Sequence, residues 1–430
     1  MSHESIAILI IAVCVVLFVI NKINTCVVAC LGCIAFVVTG VCSFQEAFSG
    51  FSNSLVILIF GALIVGEAMS QTGLDKIIGN FVIKVSRDNE RVFILLAGAV
   101  SGLLSMWMAN TAVVACFLPI IASVSRTSKN MTMKNMTMSI TFGAMYGGAC
   151  TLIGSTSQLA VQGILTEMTD QSLGMFTLMP VGLILLVSFL LYEQLIGYKL
   201  GIKIWGDRPL EGIEDEALLK QDMTEYEHHP HYKRKMIILV VIFVLMVISY
   251  TASLLPTAIT ALLSAMLCFV TGCAEPRKTI KRINWNSVLF LGCCMGLANG
   301  ITATNINQML ADVLTKVLGT QVNPVLFLAI VILFPMVVSN FLANATTTVI
   351  FTPIVIGACK LYGFNILPYC LAVAYAASTT CATPMAHSQI TMTMVAGYRF
   401  TDYAKANIPV QLLTFAELMI FLPLFFPLAG

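Results

Sequence analysis

Residues 105–120 read SMWMANTAVVACFLPI, and this stretch decides how the surrounding apolar chain folds. It resembles a piece of a membrane-spanning helix, yet Asn110 and Thr111 lie in its middle and Pro119 follows later in the same run. Each of these residues costs stability in a regular helix surrounded by lipid, because a polar side chain or a displaced backbone group finds no partner there. The stretch therefore predicts a break in the helix at Asn110 and Thr111.

The composition of the whole chain indicates whether it folds in water or in a membrane. Hydrophobic residues make up 58% of the 430 residues and charged residues only 10%, whereas a soluble domain is about a quarter charged. Apolar runs recur from end to end at residues 5–20, 25–41, 54–69, 175–191, 236–250 and 257–271. Since ~20 apolar residues cross a bilayer, these runs predict an all-α polytopic membrane protein, and we expect about 11 transmembrane helices in the whole chain.

The opening stretch occurs twice in the chain. It reappears in the second half as SNFLANATTTVIFTPIV at residues 339–355. The identical positions are Ser105/Ser339, Ala109/Ala343, Asn110/Asn344, Phe117/Phe351, Pro119/Pro353 and Ile120/Ile354. A second polar break follows each copy, as GGACTLIGSTSQLAVQGIL at 147–165 and AASTTCATPMAHSQITMTM at 376–394. Because buried Asn and Pro rarely keep one spacing by chance, we predict two structural repeats.

The distribution of Lys and Arg orients the chain. We place five polar gaps on the cytoplasmic side, because 19 of the 23 basic residues then lie on that side. The gaps are residues 87–91, 126–134, 199–235, 275–282 and 399–405. The apolar chain at 92–125 must then leave and return to one side, which predicts a re-entrant helical hairpin with its tip near 108–111. An odd number of crossings separates the two copies, so we expect inverted-topology repeats and a second hairpin that enters from outside.

The interrupted segments also indicate a chemistry. An unwound helix exposes N–H groups that attract anions and carbonyl groups that can ligate sodium. None of the four windows contains Lys or Arg, so an anion would be held there by dipoles and hydroxyls. Interrupted helices at matching places in two halves are typical of a transporter's binding site. The alternative is that these polar residues only bond neighbouring helices or mark kinks.

Few ionisable residues lie within the apolar runs. Glu67 and Glu193 sit at the ends of their runs and are expected to reach the lipid headgroups, while Glu417 is the best candidate for a proton relay. His387 is the only side chain inside a break whose ordinary pKa lies near neutral pH. No phosphate loop, HExxH or GxSxG motif supports an enzyme.

These motifs resemble those of the divalent anion/sodium symporter family of the ion transporter superfamily. That family carries a Ser-Asn-Thr motif at each hairpin tip, followed by an unwound helix; here the first pair reads MWMANTAVVACFLPI and LIGSTSQL. The second pair reads NFLANATTTVIFTPI and CATPMAHSQ, and residues 283–301 and 397–413 are similar to further family segments. The resemblance implies a homodimer whose transport domain slides as an elevator, with sodium as the coupling ion and no organic cofactor.

The resemblance also implies a set of site residues. Two sodium sites would use Ser105, Ala109, Asn110 and Gly154 in the first repeat and Ser339, Leu342, Asn344 and Ala382 in the second. The substrate would meet Asn110, Thr111, Ser155, Thr156, Asn344, Ala345, Thr346, Thr383 and Pro384. Ala109, Ala343 and Ala345 replace family hydroxyl residues, which removes three hydroxyls from the expected cradle and is expected to shift preference away from a standard dicarboxylate.

The resemblance divides the chain into five parts. Scaffold helices occupy residues 1–90, the first part of the transport domain 91–203, a cytoplasmic linker 204–235, further scaffold helices 236–320, and the second part of the transport domain 321–430. The expected function is sodium-coupled symport of small di- or tricarboxylates across the cell membrane. Two alternatives remain, a sodium-independent dicarboxylate antiporter of the same fold and a passive anion channel.

Overall fold

The computed structural model describes residues 3–20, 22–87, 89–127, 131–205, 232–302, 322–384 and 387–429. This described part is built from helices and contains no β-strand, only an isolated bridge between Phe364 and Ala429. The all-α class predicted from the sequence is therefore confirmed. Most of the predicted linker at 204–235 lies outside the described residues.

Helices α1 to α11 form the first half. Asn side chains cap several of them: Asn24, Asn53 and Asn89 accept hydrogen bonds from first-turn N–H groups. Such caps satisfy donors that a helix start leaves without partners. The helices are α1 His3–Ile20, α2 Thr25–Val38, α3 Phe44–Ala47, α4 Ser54–Gln71, α5 Leu74–Ser86, α6 Glu90–Ser105, α7 Asn110–Thr127, α8 Met133–Gly148, α9 Thr156–Met168, α10 Met179–Tyr192 and α11 Tyr198–Trp205.

Helices α12 to α20 form the second half, and Asn323 and Asn365 again cap helix starts. A π-helical turn at Glu193–Gly197 joins α10 to α11, and 3₁₀ turns lie at Ser49–Ser52 and Thr393–Ala396. The helices are α12 Tyr232–Thr251, α13 Thr257–Val270, α14 Pro276–Arg282, α15 Trp285–Thr302, α16 Pro324–Val338, α17 Asn344–Tyr362, α18 Ile366–Ser378, α19 Ser388–Met392 and α20 Phe400–Phe425.

The outer surface is that of a membrane protein. Five helical stretches in the described chain are long and apolar enough to cross a bilayer: Ser54–Gln71, Met179–Trp205, Lys233–Thr251, Asn344–Tyr362 and Phe400–Phe425. Large apolar side chains such as Val187, Leu245 and Leu424 are exposed on them. Apolar surface of this extent is unfavourable in water. The polytopic membrane class is therefore confirmed.

Two helices that end at polar breaks form the centre of the molecule. Every residue of α8 is buried, and in α18 every residue from Pro368 to Ser378 is buried. A helix without an exposed face must be surrounded by other helices. The breaks that follow α8 and α18 therefore lie in the interior and not at the lipid surface.

Glycines allow α6 and α8 to touch backbone to backbone. Gly98 and Gly102 on α6 face Gly143 and Gly147 on α8, and each pair has the G-x-x-x-G spacing of close-packed membrane helices. A Cβ on Gly147 would lie 2.1 Å from the Gly102 carbonyl oxygen. The Ser101 hydroxyl also approaches the Ile140 carbonyl across this contact, at 2.9 Å. The first arm of the hairpin is thus fixed against the first central helix.

Gly147→Ala is expected to destabilise the protein because the new methyl group would collide with the Gly102 carbonyl. Overpacking of this kind costs roughly 1–3 kcal/mol, which thermal unfolding of the purified protein in detergent would record as a lower Tm. Gly66→Ala is the matched control, since its Cβ would meet no atom closer than 3.6 Å. Equal melting temperatures for the two variants would contradict the close contact.

Candidate functional site

Each copy of the opening motif forms a turn between two helices. Helix α6 ends at Ser105 and α7 begins at Asn110, while α16 ends at Val338 and α17 begins at Asn344. The first turn agrees with the tip predicted near residues 108–111. Pro119 and Pro353 lie inside the returning helices, at the same place in each.

A threonine from the following break fastens each tip. The Thr151 hydroxyl donates to the Met106 carbonyl at 2.5 Å, and the Thr383 hydroxyl donates to the Asn340 carbonyl. Met106 directly follows Ser105 and Asn340 directly follows Ser339, so the two acceptors hold the same position in the two copies of the motif. The two halves therefore satisfy an orphan tip carbonyl with the same contact.

The first tip and first break meet at two glycines. Helix α8 ends at Gly148, where a Cβ would lie 2.4 Å from Asn110 Oδ1 and 2.8 Å from the Gly154 carbonyl oxygen. The Ser105 hydroxyl donates to the same Asn110 Oδ1. Side chain and backbone oxygens are thus concentrated without a charged residue. A set of neutral oxygens from an unwound helix fits a sodium ion.

The second tip and second break meet at His387. The Ser339 hydroxyl lies 3.4 Å from Asn344 Oδ1 and 3.1 Å from the Ala377 carbonyl. Nδ1 of His387 lies 2.5 Å from Asn344 Nδ2 and 3.0 Å from Gln389 Nε2. Both amide nitrogens only donate, so Nδ1 accepts and the ring is neutral with its proton on Nε2. His387 therefore orients Asn344 as a satisfied neutral partner.

Asn340 is a residue of this tip that the sequence analysis missed. Its Oδ1 accepts from the Ala382 N–H at 2.9 Å, and its Nδ2 donates to the Met336 carbonyl at 2.8 Å. Its position in the repeat is held by Met106 in the first half, so comparison of the two windows could not reveal it.

Both tips and both breaks open onto one cavity of about 760 Å³. This volume lies within the ~300–1,000 Å³ of small-molecule sites. The opposite wall comes from α4, the start of α2, and the junction of α14 with α15. The structure therefore brings together sequence windows from the two halves of the chain. The predicted site residues in the lining are Ala109, Asn110, Thr111, Gly154, Ser155, Thr156, Asn344 and Ala345.

The remaining predicted residues lie behind the cavity wall. Of the substrate set, Thr346, Thr383 and Pro384 are outside the lining, and the fully buried Thr346 hydroxyl oxygen has no hydrogen-bond partner. Of the sodium set, Ser105, Ser339, Leu342 and Ala382 are buried and outside the lining. Contact of these residues with substrate or sodium stays a prediction.

Two of the alanines that the resemblance sets in place of family hydroxyl residues, Ala109 and Ala343, stand at the helix starts. Ala343 is the N-cap of α17 and makes no side-chain cap, and Ala109 directly precedes α7. A Ser at an N-cap would accept a hydrogen bond from a first-turn N–H group. Alanine leaves no such internal acceptor, so both helix starts present uncapped first turns to the cavity.

The only charged pair in the described lining comes from outside the four windows. Arg282 Nη1 lies 3.4 Å from Glu67 Oε1, and both residues line the cavity. The expectation that Glu67 reaches the headgroups is wrong, because its side chain is only 14% exposed and its carboxylate faces Arg282. Sequence reasoning also missed Asn24, Asn284, Asn286 and Gln389 in the lining.

Comparison with known proteins identifies the family to which this helical membrane protein belongs. Residues 15–340, more than half of the chain, match the citrate transporter family CitMHS. The chain therefore belongs to this family.

Individual relatives agree with the resemblance seen in the sequence. The sodium-dependent dicarboxylate transporter SdcS of Staphylococcus saprophyticus is 21% identical over 373 residues, which cover 79% of this chain and 69% of SdcS. The uncharacterized transporter YfbS of Escherichia coli is 31% identical over 190 residues, or 44% of this chain. The match spans 31% of YfbS, less than a third of its length. The predicted relationship to the divalent anion/sodium symporter family is confirmed.

A solved structure shares the fold. The YdaH transporter of Alcanivorax borkumensis superimposes with a TM-score of 0.61 over 91% of this chain and 87% of its own, at 12% sequence identity. The agreement at such low identity concerns the arrangement of helices and not the chemistry of the site.

Thr151→Val and Thr383→Val are expected to loosen one tip each, because each leaves a buried carbonyl without its partner. A loss of this type costs ~1–3 kcal/mol, and hydrogen–deuterium exchange should quicken at residues 106–109 in the first variant and 340–343 in the second. Thr137→Val is the matched control, since its buried hydroxyl bonds only the Met133 carbonyl of its own helix. Unchanged exchange at both tips would show that the threonines do not fasten them.

Proposed function

We propose that the protein is a secondary active transporter of small di- or tricarboxylate anions, coupled to sodium. The observation that carries this proposal is the convergence of α7 and α17 on one cavity, each with an uncapped first turn. Helix N-termini attract anions through their N–H groups and dipoles. A neutral site of this kind binds an anion less tightly than a cluster of cations would, so the anion can also be released quickly.

Sodium coupling is supported by the oxygens beside each tip. Asn110 Oδ1, the Ser105 hydroxyl and the Gly154 carbonyl form a compact neutral set in the first half. Sodium bound there would place a positive charge next to an anion in the cavity, so each ligand would raise the affinity for the other. SdcS, whose name records sodium-dependent dicarboxylate transport, is consistent with this coupling.

The absence of three hydroxyls fits a carboxylate substrate better than the sequence alone suggested. Ala109 and Ala343 remove an acceptor that would compete for the first-turn N–H groups, and an arriving carboxylate is itself an acceptor. Ala345 adds apolar surface beside them. We infer that the substrate is held mainly by backbone donors at the tips.

Inverted repeats and an elevator motion complete the proposal. Asn89 caps α6 and Asn323 caps α16, and each Asn precedes the tip of its own half by the same spacing. The hairpins therefore begin equivalently, and opposite entry would let the tips meet from the two sides of the membrane. The tips and central helices would then move as one body against the opposite cavity wall, within a homodimer in the cell membrane.

Purified protein in liposomes is expected to concentrate labelled succinate or citrate when an inward sodium gradient is imposed. Replacing external sodium by potassium should reduce uptake to the level of empty liposomes, because the anion would lose its coupling ion. Uptake that ignores sodium but accelerates with internal dicarboxylate would identify an antiporter. Electrical currents far above carrier turnover would identify a channel.

The substitutions Asn110→Ala and Asn344→Ala test the two tips in the same uptake assay. Each should abolish uptake while the protein still inserts and elutes as a folded species, since each removes the amide that organises one tip. Asn365→Ala is the matched control, because Asn365 caps α18 and does not line the cavity. Full uptake by both tip variants would exclude the tips as the substrate site.

Asn89→Cys and Asn323→Cys are expected to react from opposite sides of the membrane. The reaction would use a membrane-impermeant maleimide, intact cells and a background in which the 14 native cysteines are replaced. Both positions are exposed N-caps, so the two substitutions cost similar stability. Labelling of both cysteines from one side would rule out inverted hairpins.

A further inference from the structure

The cavity has two chemically different walls. The wall made by the hairpin tips and breaks contains neutral polar groups, including Asn110, Ser155 and Asn344. The opposite wall contains Arg282, the only Lys or Arg among the described residues of the lining. A dianion bound at the tips would therefore find the only full positive charge of this described lining on Arg282.

Arg282 is held in place by the contact between α4 and α14. Gln71 Nε2 donates to Thr279 Oγ1 at 2.9 Å, and Gln71 Oε1 accepts from the Glu275 N–H at 2.8 Å. Gln71 also donates to Glu67 Oε1 at 3.1 Å. These bonds hold α14 against the end of α4 at the N-cap Glu275 and at Thr279, and Arg282 ends this short helix three residues after Thr279.

The part of α4 that carries Glu67 lies next to the first tip. A Cβ built on Gly66, the residue before Glu67, would lie 3.6 Å from the Met108 Cα and from the Trp107 carbonyl oxygen. Helix α4 therefore contacts the tip backbone one residue away from the carboxylate that pairs with Arg282. The charged pair and the tip share the same end of the cavity.

The pair is open to exchange. Its 3.4 Å separation exceeds the ~2.7–2.9 Å of a tight charge-assisted bond. The Arg282 side chain is 55% exposed, so it is accessible from the cavity. A guanidinium group presents a planar fork that matches a carboxylate. An incoming carboxylate can therefore take the place of Glu67.

We propose that Arg282 binds a second carboxylate of the transported anion and so selects anions with two or more carboxylates over monocarboxylates. Glu67 is the positioning residue that neutralises Arg282 while the cavity is empty. This inference rests on the proposed carboxylate transport and adds to it a residue outside the repeat motifs. The tips would hold one carboxylate and Arg282 another.

The test compares Arg282→Gln with wild type in liposomes, using labelled succinate as substrate and butyrate, a four-carbon monocarboxylate, as competitor. We expect the succinate KM of the variant to rise about tenfold or more, because a bond to a charged group is lost, while kcat changes little. Inhibition by butyrate should stay the same, so the preference for the dicarboxylate shrinks. Arg282→Lys keeps the charge without the fork and should give an intermediate KM.

Lys278→Gln is the matched control, since Lys278 lies on the same helix, pairs with Glu275 at 3.0 Å and does not line the cavity. An equal rise in KM for Lys278→Gln would reduce the effect to general surface charge and overturn the inference. An unchanged KM and selectivity in Arg282→Gln, with Asn110→Ala inactive, would overturn it and leave the proposed function standing. If Arg282→Gln fails to fold, an unchanged succinate KM and unchanged selectivity against butyrate in Arg282→Lys would overturn the inference. Absence of carboxylate uptake by wild type would defeat both proposals.

Discussion

A helix that stops inside a membrane leaves backbone N–H and carbonyl groups that neither lipid nor water can satisfy, and the fold is arranged around such stops. The Thr151 and Thr383 hydroxyls satisfy one tip carbonyl each. The helices that precede these threonines, α8 and α18, are buried along nearly their whole length. The polar breaks are thus kept away from lipid and turned toward a single cavity.

The same constraint explains the choice of small residues around the tips. Gly147 and Gly148 let α8 approach α6 and the first tip at backbone distance. A larger residue at Gly148 would displace Asn110 Oδ1 and the Gly154 carbonyl, which lie 2.4 and 2.8 Å from the place of its Cβ. Packing and ligand geometry are therefore set by the same residues, and a change that alters one alters the other.

The sequence predicted the helical membrane class and the two tips because both depend on local pattern. A buried Asn in an apolar run is unfavourable unless the helix is broken, and its repetition in both halves, with a Pro at the same spacing, marks both tips. The opposite wall could not be predicted in this way. Glu67 ends an apolar run, as a headgroup-facing residue also would, and only the packing of α14 against α4 turns it toward Arg282.

The two walls suggest a division of labour in recognition. Backbone donors at helix starts are neutral and fixed, so they tolerate any carboxylate of suitable size and discriminate little between anions. A single guanidinium paired with an exchangeable carboxylate adds discrimination by charge, and its cost when empty is limited because Glu67 neutralises it. Selectivity would then reside on the wall without the repeat motifs, while the Asn residues of the tips serve the anion binding that both halves share.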